Sequence, residues 1–152
     1  MTELSIAKKP VVSIDARGPR FSALLTTIVL GFALGTSNIW LAVGQGIVFA
    51  IGAFKGPQFT PYAFIFKTLI KPRLKSEFVG EDVRPPQFAQ SVGLVFALTA
   101  IAGAFIGLNL LFTVAVSFAL AAAFLNATFN FCLGCEIYLL LLRARSKWAN
   151  IQ

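Results

Sequence analysis

The chain has 152 residues, of which 57% are hydrophobic and only 12% are charged, whereas soluble domains carry about a quarter charged residues. It contains no histidine, which excludes His-ligated haem, His-based zinc or copper sites and imidazole proton shuttles within this chain. Two cysteines and one methionine cannot complete a four-ligand metal site alone. The net charge of +7 comes from basic residues that flank the apolar runs, which indicates membrane topology rather than nucleic-acid binding.

The first apolar run, Phe21–Phe54, follows a polar and basic segment over residues 1–19. The run is too long for the apolar part of a signal peptide, so we expect residues 1–19 to form a retained cytoplasmic tail. A single helix of this length would be about 51 Å long, well beyond the ~30 Å hydrocarbon core of a bilayer. The polar residues of Gly35–Asn38 therefore predict a turn, with spans at roughly 20–36 and 38–54 in an antiparallel hairpin.

The connector that follows, Lys55–Gln87, contains five prolines. Within it, Pro61–Ile70 is mostly apolar but too short to span, which predicts a short helix in the cytoplasmic interface. This helix would complete a first hairpin repeat over 20–75. We expect residues 76–87 to form a solvated cytoplasmic loop.

The second long apolar run, Phe88–Leu125, also requires a break, and Gly107–Asn109 provides one. The predicted spans are roughly 88–106 and 109–125. Asn126–Leu142 follows and is predicted to be a short helix at the cytoplasmic leaflet. It completes a second hairpin repeat over 88–147, with a tail over 148–152. With the N-terminus inside and four spans, all 13 Lys and Arg lie on the cytoplasmic side.

The two halves resemble each other in sequence. Arg17-Gly-Pro-Arg-Phe21 matches Arg84-Pro-Pro-Gln-Phe88, and the basic triplet of 71–75 matches that of 143–147. Both halves begin and end inside, which indicates a parallel repeat about an axis along the membrane normal. We predict an all-α integral membrane protein with four transmembrane helices as two repeated hairpins, each followed by a short interfacial helix on the cytoplasmic side.

The chemically unusual residues are Cys132, Cys135 and Glu136. The cysteines form a C-x-x-C pair, and Glu136 is the only charged residue between Arg84 and Arg143. On one continuous helix the three residues share a face. A helix that begins near Asn130 would favour a thiolate on Cys132. An intramembrane carboxylate is costly, which makes Glu136 a candidate for function.

Three interpretations of the thiol pair are open at this point. The cysteines are a working dithiol, or they are small apolar residues packed without chemistry. In the third interpretation, two chains together build a four-cysteine or Cu(I) site.

Five segments resemble the bacterial membrane proteins grouped as domain-of-unknown-function family 4395. They are Asp15–Ala23, Val48–Ala53, Pro86–Gln90, Ala123–Ala127 and Phe131–Tyr138, of which Phe-Cys-Leu-Gly-Cys-Glu is the most specific. The Phe-Cys region is also similar to small membrane domains fused to sulfurtransferase modules. The resemblance implies a multi-pass protein of the bacterial plasma (inner) membrane, and the distribution of the basic residues predicts that both termini are cytoplasmic. It names no reaction.

The leading functional hypothesis is a thiol relay at the cytoplasmic membrane face. Cys132 would attack, Cys135 would resolve, and Glu136 would modulate their protonation. A thioredoxin-like or sulfurtransferase protein would be the partner, and a homo-oligomer is compatible with the sequence. The alternative is a non-catalytic scaffold or accessory subunit with inert thiols. Transport of a sulfur species or soft metal ion ranks lower, and no cofactor site is predicted.

Overall fold

The computed structural model describes residues 12–151 and is helical over most of that range. Residues 1–11, which make up most of the predicted N-terminal tail, and Gln152 lie outside the described part. The secondary-structure elements, in chain order, are β1 Ser13–Asp15, α1 Arg17–Thr36, α2 Ile39–Phe54, α3 Pro61–Ile65, β2 Gly80–Asp82, α4 Arg84–Phe105, α5 Asn109–Phe129 and α6 Leu133–Ile151.

Both predicted breaks in the apolar runs are present. Ser37 ends α1 with a left-handed backbone (φ 51°), and the Asn38 side chain accepts a hydrogen bond from the Trp40 N–H to start α2. Between α4 and α5, Gly107 has φ 79°, a conformation that glycine adopts without steric cost. The polar and glycine residues of the two segments therefore mark helix ends, as expected.

Within residues 12–151, three helices are long and apolar enough to cross a membrane: α1, α4 and α5, with 20, 22 and 21 residues. The predicted class, an all-α membrane protein, is confirmed at this level. The fourth predicted span, α2, is apolar but has only 16 residues.

The helices of the two halves pack against each other through small side chains. The most extensive contacts join α2 to α4, α1 to α5 and α4 to α5, whereas α1 and α2 touch less. The core contains Leu30, Phe49 and Phe112 together with several alanines, among which Ala100 is fully buried. Alanine and glycine at helix crossings allow close backbone approach, which drives helix association in lipid.

One correction concerns residues 76–87, which were predicted to be only a solvated loop. Three of them form β2, which pairs antiparallel with β1. The pair joins segments that are 67 residues apart, so no local alternation or turn pattern reveals it. This two-stranded ribbon of β1 and β2 places the starts of α1 and α4 side by side.

The register of this ribbon is symmetric. Ser13 pairs with Asp82, Ile14 with Glu81 and Asp15 with Gly80. The hydrogen bonds on either side of the ribbon are related by the same symmetry: the Ala16 N–H donates to the Val79 carbonyl, and the Val83 N–H donates to the Val12 carbonyl. A local two-fold axis through the Ile14–Glu81 pair produces this pattern.

Of the two short helices that the sequence predicts, one is present and the other has different bounds in the structure. The expected helix over Pro61–Ile70 is present, as α3 continued by a wider helical turn over Phe66–Ile70. The expected helix over Asn126–Leu142 is wrong in its bounds. Its first residues belong to the end of α5, and α6 starts only at Leu133 and continues through the predicted tail. Asn130, with φ 53°, makes the break.

Candidate functional site

The thiol pair lies at the first turn of α6. The Cys132 carbonyl accepts the Glu136 N–H at 3.0 Å, and the Cys132 Sγ accepts the Cys135 N–H at 3.3 Å. Cys132 therefore has the role that an N-cap residue has, with sulfur in place of the usual oxygen. The first turn of α6 also carries N–H groups without intrahelical acceptors, which give this end of the helix a partial positive charge.

The two sulfur atoms lie at disulfide-bonding distance, with the Cα atoms 5.2 Å apart. This Cα separation is within the range that a disulfide requires. Both residues are partly exposed rather than enclosed. The backbone of this turn therefore has the geometry that a disulfide between the two residues needs.

Glu136 follows the pair in the first turn of α6, and it is exposed. Its carboxylate makes no hydrogen bond or ion pair with any residue of 12–151. A negative charge in the first turn complements the helix dipole. The structure thus brings Glu136 next to the thiols along the chain, but it shows no direct contact between its carboxylate and either sulfur.

The break at Asn130 separates the end of α5 from the thiol pair. Thr128 belongs to α5 and donates its hydroxyl proton to the Phe124 carbonyl. Asn130 ends α5 with a left-handed backbone and does not cap α6. The sequence predicts a helix that begins near Asn130, whereas the residue that caps α6 is Cys132, two positions later.

Gly134, between the two cysteines, packs directly on α4. A methyl group on Gly134 would lie 2.5 Å from the Cβ and 2.6 Å from the Cα of Ala89. Four residues further on, the Tyr138 ring lies against Phe88, with the ring centroids 5.6 Å apart and the planes tilted by 45°. No role for Gly134 was predicted from the sequence, although small residues on membrane helices are typical of close helix contacts.

The end of α5 is held to the start of α1 beside the thiol pair. The Arg20 Nε donates to the Ala127 carbonyl at 3.1 Å, one of the carbonyls left without a partner in the last helical turn. A basic side chain at a helix C-terminus also complements the helix dipole. The contact fixes the segment from which Cys132 emerges.

A cavity of about 260 Å³ opens beside Cys132, between α1, α4, α5 and α6. Cys132, Leu133 and Gly134 form part of its wall, together with mostly apolar residues of the other helices. Two amides, those of Gln90 and Asn126, also line it. The Gln90 Oε1 is buried and has no hydrogen-bond partner.

A buried polar chain lies deeper in the bundle, in the first half. The Tyr62 hydroxyl donates to the Gln45 Oε1 at 2.7 Å, and the Gln45 Nε2 donates to the Thr26 Oγ1 at 3.1 Å. Gln45 is only 1% exposed. Both polar ends of the Gln45 amide therefore have a side-chain partner.

Together these features define a helical membrane protein with a thiol pair at a helix N-terminus. A family model described as Domain of unknown function (DUF4395) matches residues 14–143, and the chain belongs to this family. No curated protein and no solved structure matches the chain.

Proposed function

We propose that the protein is a thiol relay at the cytoplasmic face of the bacterial inner membrane, with Cys132 and Cys135 as its working groups. The observation that carries the proposal is the position of the two sulfurs, at disulfide-bonding distance on the first turn of α6. A helix N-terminus lowers thiol pKa values, and partial exposure gives a partner access. Residues packed only to fill space require neither feature.

The proposed topology has four spans, with α2 as the fourth. Its 16 residues are about 24 Å long as a helix, a length that a locally thinned bilayer accommodates. The turns at Ser37 and Gly107 would then lie outside, and they carry no charge. Both termini and the basic segments would lie in the cytoplasm, as the positive-inside rule favours.

The proposal also includes an internal two-fold repeat that relates the two halves of the helical fold. The symmetric ribbon supports it, and so do two matching aromatic pairs: Phe21 with Phe66 at 5.8 Å and 41°, and Phe88 with Tyr138 at 5.6 Å and 45°. Thr60 is the N-cap of α3 and accepts from the N–H three residues on, as Cys132 does in α6. The second half would thus have a reactive cysteine, Cys132, at the helix cap where the first half has Thr60.

The proposed exchange proceeds in two displacements. The Cys132 thiolate attacks one sulfur of a partner disulfide, forms a mixed disulfide and releases the first partner thiolate. The Cys135 thiolate then attacks the Cys132 sulfur, closes the intramolecular disulfide and releases the second partner thiolate. Two protons leave the protein dithiol and two electrons pass to the partner, and the reverse sequence reduces the protein. Glu136, exposed one residue from Cys135, would modulate the proton exchange.

The proposed partner is a thioredoxin-like or sulfurtransferase protein in the cytoplasm. Several basic residues belong to the cytoplasmic face in the proposed topology, Arg84 and Arg143 among them, and they would favour an acidic partner surface. Cys132 and Cys135 are partly exposed although Gly134 between them packs on α4, so a docking protein could reach them from the side away from α4.

The test compares the two single-cysteine variants, Cys132→Ser and Cys135→Ser, in lipid nanodiscs at pH 7 with glutathione disulfide. The variant that retains Cys132 should form the mixed disulfide at least about tenfold faster, because the helix N-terminus activates that thiol. The wild type should instead close its own disulfide, and reduced thioredoxin should reopen it. Intact-protein mass spectrometry follows all three species.

Equal and slow rates for the two variants, together with a wild type that never closes its disulfide, would contradict the relay. The protein would then be a non-catalytic scaffold or accessory subunit with packed thiols. In that case Cys132→Ser should leave any hetero-complex intact, which co-purification measures.

A further inference from the structure

We propose that a second cavity binds the headgroup of an anionic phospholipid, with Lys67 and Lys71 contacting its phosphate. This cavity, of about 210 Å³, lies between the ribbon, the start of α1 and α3. It belongs to the first half of the molecule and does not depend on the thiol relay. Three features support a bound lipid: the charge at the cavity, its level along α1, and a buried hydroxyl in its wall.

Two lysines supply the charge. Lys67 and Lys71 line the cavity and are four residues apart, about one helical turn. Neither makes an ion pair with a residue of 12–151. The Lys67 Nζ donates to the Gln58 carbonyl at 3.3 Å, and the Lys71 Nζ lies 5.4 Å from the centre of the Phe78 ring. Gln58 and Phe78 also line the cavity. Because an ammonium has three donors, both lysines retain N–H groups for a ligand.

The lining residues include one carboxylate, that of Asp15, and it does not cancel the charge of the lysines. Its two oxygens accept from the Arg17 guanidinium at 3.0 and 2.8 Å, and its side chain is only 7% exposed. Asp15 and Arg17 therefore neutralise each other. Lys67 and Lys71 leave their side of the cavity positive, which favours an anion.

The cavity lies at the level where the first apolar run begins. On α1 it is lined by Gly18 and Pro19, which precede the run that starts at Phe21, and by Ser22 just inside it. Since α1 is long and apolar enough to cross a membrane, its start lies at the level of the lipid headgroups. Basic pockets at this level bind anionic headgroups, because the lipid phosphates lie there.

Ser22 adds a hydroxyl to the cavity wall. The residue is only 7% exposed, and its hydroxyl makes no hydrogen bond with any residue of 12–151. Thr27, five residues further along α1, instead donates to the Ala23 carbonyl. A buried hydroxyl without a partner is costly, and a phosphate oxygen is an acceptor for its proton.

The rest of the wall favours a lipid over a free phosphate ion. Apolar residues of the ribbon and of the short helical segments form it, namely Ile14, Pro57, Ala63 and Phe66. A free ion would lose hydration against this surface, whereas the glycerol and first methylenes of a phospholipid suit it. The small volume admits only the headgroup region, so the acyl chains remain in the bilayer. A zwitterionic headgroup carries its own cation, which the two lysines repel.

The test titrates the full chain in detergent with phosphatidylglycerol or with phosphatidylcholine of the same acyl chains, and native mass spectrometry counts the bound lipids. We expect the wild type to bind phosphatidylglycerol more tightly. The double variant Lys67→Gln/Lys71→Gln should raise the Kd for phosphatidylglycerol by about tenfold or more. The matched control, Lys55→Gln/Lys75→Gln, removes two exposed lysines that do not line the cavity and should bind like the wild type.

Ser22→Ala provides a second variant that removes only the hydroxyl. We expect the Kd for phosphatidylglycerol to rise about threefold, with no loss of Tm in the absence of lipid, because an unpartnered hydroxyl contributes nothing favourable to the fold. A role of Ser22 in structure alone would lower Tm without lipid and leave the Kd unchanged.

Three results would overturn the lipid site. Equal Kd values for the two double variants would show that phosphatidylglycerol binds elsewhere on the protein. Equal affinity of the wild type for the two lipids would show that the lysines select no anion. Glycerol 3-phosphate has the same phosphate without acyl chains, and its displacement of phosphatidylglycerol at equal concentration would make the ligand a soluble phosphate instead. Tm without lipid checks that both double variants remain folded.

Discussion

At the scale of single residues, two Asp-x-Arg pairs hold the ribbon to the helices. The Asp15 carboxylate accepts from the backbone N–H of Arg17 at 3.1 Å and from its guanidinium at 3.0 and 2.8 Å. Asp82 and Arg84 repeat this arrangement at the start of α4. Each pair uses the guanidinium fork that suits a carboxylate, at the point where a strand turns into a long helix.

These contacts make the ribbon sensitive to acid. The hydrogen bond from the Arg17 side chain lowers the pKa of Asp15 below its ordinary value of 3.8. A carboxyl with a lowered pKa stabilises the fold above its ordinary pKa, and this stability is lost as the pH falls through the lowered value. We expect Asp15→Asn to lower Tm by a few degrees at pH 7 and by less near pH 3, in thermal unfolding in detergent.

A gap between the wild type and Asp15→Asn that stays constant from pH 7 to pH 3 would contradict this account. Glu81 must be considered in the comparison, because burial and the neighbouring Asp82 raise its pKa. Its contribution has the opposite sign, since a raised carboxyl pKa favours the fold as the pH falls. Comparison of wild type and variant at each pH removes this term, because both proteins retain Glu81.

Gly134 carries a second prediction at this scale. Gly134→Ala places a methyl group 2.6 Å from the Cα of Ala89, and a backbone atom cannot move aside as a flexible side chain does. We expect a loss of about 1–3 kcal/mol in the free energy of unfolding, measured in detergent, because α6 must shift away from α4. The rate of disulfide closure should fall as well, since the shift begins between the two cysteines.

Gly44→Ala is the matched control for Gly134→Ala. No atom lies within 4 Å of an added methyl group there, and the residue is exposed on α2. The substitution should be neutral, or stabilising by about 0.5–1 kcal/mol through the lower backbone entropy of alanine. Similar losses for both variants would show that helix bending, rather than the contact with Ala89, makes Gly134 necessary.

At the scale of elements, the chain Tyr62–Gln45–Thr26 joins α3, α2 and α1. Each side chain comes from a different helix, and Gln45 and Thr26 are buried. Hydrogen bonds between helices in lipid are worth about 0.6 kcal/mol on average, and leaving a partner unpaired costs more. The chain therefore fixes how the short helix α3 sits against the two longer ones.

Tyr62→Phe tests this chain by removing one hydroxyl. We expect a loss of about 1 kcal/mol in the free energy of unfolding in detergent, because the Gln45 Oε1 is left buried without a donor. Tyr138→Phe is the control, since the Tyr138 hydroxyl makes no hydrogen bond with the described residues while its ring lies against Phe88. The Tyr62 account would be wrong if the two variants lost equal stability.

Helix positions could be predicted from the sequence because their signals are local. Gly35–Asn38 and Gly107–Asn109 interrupt long apolar runs, and the helices end there. The ribbon could not be predicted, because β1 and β2 are three residues each and pair across 67 positions. The break before α6 was missed because Asn130 appeared to be an N-cap rather than the left-handed end of α5.

Some features of the candidate site could likewise be predicted from the sequence, and others could not. Cys132, Cys135 and Glu136 stand out in the sequence because they differ chemically from their surroundings. The buried Oε1 of Gln90 depends on α4 lying beside α2, and the contact of Gly134 with Ala89 depends on α4 lying beside α6; no local pattern encodes either. The sequence therefore identifies the candidate residues, whereas only packing identifies the cavity that Cys132 lines.

At the scale of the whole molecule, the two halves are interleaved rather than placed side by side. α1 packs on α5 and α2 on α4, so each hairpin is completed by the other. The ribbon holds the starts of α1 and α4 together, and the Gln87 side chain donates to the Ala53 carbonyl at the end of α2. One end of the bundle thus gathers the ribbon, α3 and the thiol turn, and the opposite end has only two short turns.

This arrangement makes the membrane topology testable. On a background with both native cysteines changed to serine, Ser37→Cys and Leu108→Cys report on the two short turns, and Ser76→Cys reports on the opposite end. In right-side-out vesicles we expect an impermeant maleimide to label the first two variants only, and in inverted vesicles Ser76→Cys only, because four spans place the uncharged turns outside. Denatured samples control for the reactivity of each cysteine. Labelling of Ser37→Cys and Ser76→Cys from the same side would contradict four spans, because a 16-residue α2 that does not cross leaves both residues on one face.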